Sequence, residues 1–406
     1  MTAEITETEP RPQISLWTIF TSYFVVGLTA FGWAIIQKLK ALVMDHHWLS
    51  EEEMNEGLAM VQLYPGPIMV DFSAYVGYKL RGVIGAILAT TGFILPSFVL
   101  MSVLSAFYFT AGNLPWVHSL FLGIEALVVG ILLNVTLEMG GRNIQQRTQA
   151  VIMLLAFGAL LFKVNAIVIV LVALALGAWL IRPAAGTGKM AGAGKPTTPK
   201  VEPVSAKRWV GIGAVVATIL VVVAFSWSLK SEMGGLALSL FKIGSVAFGN
   251  GTTIIPLIQS EAVEAHQWLT MGQFADGIAL GQITPGPFLI TATFVGYKLG
   301  GFWGGLLATF AIFSPSFAMT LVFTEVFARI RNLKAVRGAL AGVMASFVGL
   351  LAVVLLQLGG VALTGPAAFA LAGAAFIAVR WFKIDILWVF LGGLAVWGGL
   401  LVLGMV

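Results

Sequence analysis

Two tripeptides, Pro65-Gly66-Pro67 and Pro285-Gly286-Pro287, interrupt any helix that contains them, and the residues around them could hold a small anion. Pro67 and Pro287 lack an N–H donor, and Gly66 and Gly286, each preceding a proline, are pushed away from the α region. Proline suits the first turn of a new helix, so each break predicts a fresh helix N-terminus. Such an end carries partial positive charge and free N–H groups, which fit an oxyanion. Gln62 and Gln282, three residues before each Pro-Gly-Pro, could donate through their amides, and Thr284 adds a hydroxyl beside Pro285. A second, glycine-marked break reads Phe31-Gly32 in one place and Phe248-Gly249-Asn250-Gly251 in the other, where Asn250 and Gly251 join the candidate binding set. A pair of kinks that only shapes packing would also explain prolines in apolar helices. Their repetition at matching positions favours a site.

Charged residues inside apolar runs are the next signal, because each needs a partner or a cavity. Lys242 lies seven residues before Gly249 and could face a dianion. Asp71, one turn past Pro67, and Glu125, within Phe121–Leu133, could neutralise Lys242 or carry a proton. The alternative for all three is an internal ion pair that fixes helix packing. His46-His47 beside Asp45 lacks the spacing of a recognised metal site and reads as solvated loop. Ser50 followed by Glu51-Glu52-Glu53 reads as a capped helix start. There is no Walker-type loop, His-Glu-x-x-His or Gly-x-Ser-x-Gly sequence, so neither nucleotide hydrolysis nor intramembrane proteolysis is indicated, and no cofactor is implied.

The elements that must position these residues are helices in a membrane. The 406 residues are 59% hydrophobic and 10% charged, with a mean hydropathy of +0.96, which leaves too little polar surface for a soluble domain. Runs such as Val83–Phe109, Trp209–Trp227 and Ile384–Val406 approach or exceed the roughly 20 residues that cross the hydrocarbon core. They are continuous rather than alternating, which excludes a barrel. Cysteine is absent, so disulfides are excluded. The net charge of +5 is too small and dispersed for nucleic-acid binding. Trp17, Trp116, Trp227 and Trp381 lie near the ends of apolar runs, as interfacial residues do.

The chain repeats itself. Besides the two Pro-Gly-Pro tripeptides, Val76–Leu80 matches Val295–Leu299, Leu88–Thr90 matches Leu307–Thr309, and Pro96–Phe98 matches Pro315–Phe317, at an offset of about 217 to 220 positions. The expected organisation is a polar tail (1–15), a first repeat (16–181), a linker (182–208), a linking transmembrane helix (209–228) and a second repeat (229–406). Lys189, Lys195, Lys200, Lys207 and Arg208 place the linker, and with it the N-terminus, on the cytoplasmic side. The Gly112–Pro115 loop has no Lys or Arg, whereas its counterpart, Arg329–Arg337, is strongly basic. Arg142 and Arg147 instead correspond to an uncharged turn near Gly359–Thr364. Corresponding loops therefore face opposite sides, as in inverted-topology repeats. The fold expected is an all-α polytopic membrane protein of two inverted repeats, about six helices each plus one linking helix, about 13 spans in all. Each Pro-Gly-Pro segment is expected to span as two half-helices joined end to end, because Glu51–Tyr64 and Pro67–Leu80 are each too short to cross alone. A segment that dips and returns would, on this count, put Arg329–Arg337 outside.

Ala30-Phe31-Gly32, Gln62–Pro67 and Val76–Tyr78 in the first half, with Ala247–Gly251, Trp268–Thr270, Asp276–Gln282, Thr284–Pro287 and Ala292–Tyr297 in the second, resemble the chromate transporter family in its two-domain form. The resemblance covers both repeats and implies export of chromate across a bacterial inner membrane, with resistance as the outcome and sulfate as a competing oxyanion. The chain departs from the family pattern at Phe31–Ala34, where Phe-Gly-Gly-Pro is usual, and at Phe248–Gly251, where Gly-Gly-Gly is common. An anion channel, or a transporter of another small solute, would share the same features. Both a monomer and a homodimer are compatible with a chain that already holds both halves.

Overall fold

The computed structural model describes residues 14–31, 34–111, 115–181, 206–228, 231–249, 251–330 and 334–404. In the first half the helices are α1 (Leu16–Thr29), α2 (Ala34–Asp45), α3 (Glu51–Met60), α4 (Ile68–Ala111), α5 (Pro115–Asn143), α6 (Arg147–Leu161) and α7 (Ala166–Leu180). α8 (Ala206–Ser228) links to α9 (Glu232–Val246), α10 (Ile254–Ile258), α11 (Met271–Ile283), α12 (Thr291–Ile330), α13 (Lys334–Ala362), α14 (Pro366–Arg380) and α15 (Ile386–Val402). Five stretches among the described residues are long and apolar enough to cross a membrane. Trp17, Trp227 and Trp381 are exposed, and the side chain of Trp116 lies outside the described residues.

α4 and α12 are each two antiparallel helices rather than one. α4 reverses at Arg81–Gly82, where Gly82 has φ of 62°, and α12 reverses at Gly300–Gly301, where Gly301 has φ of 56°. Only a glycine enters this region cheaply at so tight a turn. A Cβ on Gly77 would overlap the Gly85 carbonyl, and the Thr293 and Thr309 hydroxyls bond each other at 2.7 Å. Eight or sixteen residues along a straight helix would separate these groups by more than about 12 Å, so the legs lie side by side.

The Pro-Gly-Pro segments differ from the end-to-end expectation. The Tyr75 hydroxyl donates to the Glu53 carbonyl at 3.0 Å, and a Cβ on Gly57 would strike the Tyr75 ring. In the second half a Cβ on Gly277 would lie 2.7 Å from the Phe294 ring. α3 and the 68–80 leg are therefore the two arms of a hairpin with Pro65–Pro67 at its tip, and α11 and the 291–299 leg form its counterpart. The glycine-marked breaks do the same. Ser239 in α9 donates to Glu261 at 2.6 Å across the Phe248–Gly251 tip. Lys38 in α2 donates to the Thr29 carbonyl at the end of α1 at 2.7 Å. Residues 259–265 continue α10 as a π-helical segment, an insertion common at functional sites. Arms of 10 to 15 residues rise only about 15 to 22 Å, short of the roughly 30 Å hydrocarbon core, so hairpins satisfy lengths that single spans could not.

The sequence halves interlock. α13 of the second half packs on α6 and α7 of the first, and α14 and α15 pack on α5. Small residues permit this: a Cβ on Gly342 would overlap the Ala173 carbonyl, and one on Gly130 the Ala372 carbonyl.

Candidate functional site

The four hairpin tips meet at the centre of the molecule, each against a tip from the other half. Gly66–Pro67 pairs in parallel with Phe248–Gly249 as a two-residue β-bridge, Gly66 opposite Phe248. Reciprocally, the Gly286 N–H donates to the Ala30 carbonyl at 3.1 Å. The Phe248–Gly251 tip also touches the second Pro-Gly-Pro tip, since a Cβ on Gly251 would lie 3.1 Å from the Phe288 Cβ. The tips are built on unusual backbone, with φ of 155° at Gly66, 87° at Gly249 and Gly251, and 99° at Gly286. Backbone of this kind at depth in an apolar molecule needs protein or a cavity around it.

Each Pro-Gly-Pro tip is clamped by the serine of the Pro-Ser-Phe repeat from the other half. Ser97 donates to the Pro285 carbonyl at 2.7 Å, and its hydroxyl occupies the space a Cβ on Gly286 would need. Ser316 packs equivalently against Gly66. The sequence displayed both serines as part of a repeat, yet gave no sign of what they touch.

Asp71 is fully buried beside the first tip, its carboxyl filling the side of Gly66 where a Cβ would stand. The Ser316 and Thr320 hydroxyls face it, but both already donate to backbone carbonyls, and Thr320 also bonds the Tyr64 hydroxyl at 2.7 Å. By distance and angle neither Asp71 oxygen has a hydrogen-bond partner among the described residues. A second buried acid, Asp276 in α11, went unassigned from sequence. Its Oδ2 accepts from the Tyr108 hydroxyl of the first half at 2.7 Å, its Oδ1 is unpartnered among the described residues, and Glu125 lies nearby.

Several sequence candidates fall elsewhere. Lys242 is exposed on α9, on the face opposite the buried Leu236, Leu240 and Ile243, and makes no ion pair with Asp71 or Glu125 among the described residues. Counting from Gly249 gave its height along the helix but not its face. Gln62 is exposed just past α3, whereas Gln282 is half-buried beside a void of about 10 Å³ with Ile131, Ile278 and Phe390. The Thr284 hydroxyl donates to the Leu280 carbonyl of its own helix at 2.7 Å and is thereby occupied. Asn250 lies outside the described residues. Gly66, Pro67, Gly251, Gly286 and Pro287 lie together at hairpin tips.

Crossed hairpin tips with buried acids, among helices long and apolar enough to cross a bilayer, belong to a multi-pass membrane protein. The sequence pattern of the chromate transporter family matches residues 17–178 and 234–398. The chain belongs to that family. It is 30% identical to a chromate transport protein of Pseudomonas aeruginosa over 97% of this chain and 94% of that one. It is 32% identical to an uncharacterized transporter of Methanocaldococcus jannaschii over 86% of both chains. A chromate transport protein of Cupriavidus metallidurans is 27% identical over 83% of this chain and 81% of its own. No solved structure matches the chain.

Proposed function

We propose that this protein carries chromate, or a closely related tetrahedral oxyanion such as sulfate, out of the cytoplasm across a bacterial inner membrane. The observation that carries the reading is the reciprocal crossing of the tips, Gly66–Pro67 on Phe248–Gly249 and Gly286 on Ala30. A helix N-terminus follows directly at Ile68 and another stands at Ala34, so partial positive charge converges near the broken backbone. The backbone of Gly66, Pro67, Gly251, Gly286 and Pro287 forms the substrate site in this reading. The names of the Pseudomonas and Cupriavidus relatives support chromate as the substrate.

The topology belongs to the same proposal. Repeats at 16–181 and 229–406 are supported by the two separate family matches. With two dipping hairpins per repeat, each repeat begins and ends on one side, and the single crossing of α8 inverts the second relative to the first. Hairpins of the first repeat then enter from the linker side and those of the second from the other, which is why their short arms meet midway. Dipping twice also keeps Arg329–Arg337 on the linker side, cytoplasmic by its basic charge. A single dip per repeat would put that cluster outside, and two dips return it to the linker side.

Asp71 is the coupling carboxyl in this scheme. A buried intramembrane acid with no cationic partner among the described residues is costly and marks an ion or proton pathway. Glu125, beside Asp276, is a second candidate for that role.

The test is radiolabelled chromate uptake into everted vesicles with sulfate competition. Wild type accumulates chromate in an energised membrane, D71N loses the dependence on the proton gradient, and K242Q transports as wild type. Uptake no greater than in empty vesicles, with folded protein present, would sink the chromate assignment.

A further inference from the structure

At the linker end, the reversal of α4 and the ends of α8 and α12 enclose a cleft of about 690 Å³. Its walls carry Lys79, Arg81 and Arg208, with Glu325 the one carboxylate among its lining residues. Glu325 is largely buried and accepts from the Tyr78 hydroxyl at 2.5 Å, while its Oε1 lies 3.6 Å from the Arg208 guanidinium. Arg208, 65% exposed, is thus held over the cleft rather than into the protein. Arg81 spends one donor on the Ile14 carbonyl at 2.8 Å, which fixes its guanidinium while the other N–H groups of the fork are not used by that bond. Lys79 stands over the Tyr75 ring at 5.6 Å.

Among the described residues, the groups that build this cleft are not repeated at the α12 reversal. At the α12 reversal Gly300 stands where Arg81 does, Ala106 where Glu325 does, and Arg208 precedes α8, which is not repeated. Lys298, the counterpart of Lys79, sits over the Phe109 ring at 5.1 Å. Among the described residues the pair of guanidinium groups is therefore present at the α4 reversal and not at the α12 reversal.

We propose that this cleft captures a tetrahedral dianion on the linker side, with Arg81 and Arg208 as its binding forks. Guanidinium groups pair bidentately with such oxyanions, and two held on facing elements can grip one ion together. Glu325 orients Arg208 and competes for it, so a bound anion is released again rather than trapped. The capture role rests on the transport reading above; the binding itself does not. The same chemistry is offered by a phosphate headgroup of a lipid, and the experiment separates the two sources.

The experiment measures radiolabelled sulfate binding by equilibrium dialysis to the full chain in lipid discs, beside chromate uptake in everted vesicles. R81Q and R208Q each weaken sulfate binding and raise the uptake KM by about tenfold. E325Q, whose amide oxygen still accepts from Tyr78, moves both in the opposite direction, about threefold. Arg81 and Arg208 are exposed, and E325Q keeps the shape of its side chain, so all three variants are expected to fold, which their unchanged elution after purification checks. Sulfate binding in both phosphatidylcholine and phosphatidylglycerol discs assigns the cleft to the free anion. Binding confined to phosphatidylcholine discs assigns it to a headgroup and overturns capture. Sulfate binding and KM indifferent to all three variants overturn the cleft while leaving chromate transport standing. Variant-sensitive sulfate binding in a protein that carries no chromate leaves the cleft and removes the transport reading.

Discussion

Gly66 has φ of 155°, and a methyl group there would strike the Asp71 carboxyl and the Ser316 Cβ; Gly286 has φ of 99°, and a methyl there would strike the Ser97 hydroxyl. Neither site can relax, because the obstructing groups are themselves buried and belong to the opposite half or to the outgoing arm. G66A and G286A are accordingly expected to abolish chromate uptake and to destabilise the protein by about 1–3 kcal/mol, read as a lower melting temperature in detergent. Wild-type uptake in either variant would show that the tips tolerate being prised apart. S97A leaves the Pro285 carbonyl without its donor and is expected to lose about 1–3 kcal/mol, whereas S316A removes only packing, since Ser316 donates to Phe313 within its own helix. Equal losses in the two would contradict the clamp described for Ser97.

At the scale of elements, hairpin arms of 10 to 15 residues replace the single broken span that the sequence suggested. The difference is directly measurable because the chain contains no cysteine, so single cysteines can be introduced without background. His46, at the base of the first hairpin, and Arg81, at the base of the second, are both exposed. Cysteines at these two positions are expected to label with a membrane-impermeant maleimide from the same side as the linker. Cysteines at Gln267 and Lys298, exposed near the bases of the corresponding hairpins in the second half, are expected to label from the opposite side. Labelling of His46 and Arg81 positions from different sides would restore the end-to-end span.

For the whole molecule, the interlocked halves carry the consequence. α5 lies against α14 and α15, and α13 against α6 and α7, through glycine contacts that leave no room for larger side chains. Each half alone would expose these small-residue faces, and each Pro-Gly-Pro tip would lose its bridge and its serine clamp. Expression of 1–190 or 191–406 alone is expected to give unstable, inactive protein. Co-expression of the two is expected to restore uptake, since no described contact requires the linker to be continuous. A single half that transports on its own would refute the crossed arrangement.

Composition and apolar run length by themselves determined a multi-pass helical membrane protein, because a chain so poor in charge has no other way to satisfy its backbone. Repetition marked Pro65–Pro67, Pro285–Pro287 and Phe248–Gly251 as breaks, since proline and glycine restrict backbone locally and the restriction is written in the residue itself. Whether an arm continues or returns is not local: it depends on Gly57 receiving Tyr75 and Gly277 receiving Phe294, contacts between residues some 18 positions apart. The face on which Lys242 lies, the serines that grip the tips, and the joining of Arg81, Arg208 and Glu325 into one cleft were likewise decided only by tertiary structure. Each is a meeting of side chains from distant segments, and burial against a neighbour is a property of the pair rather than of either sequence.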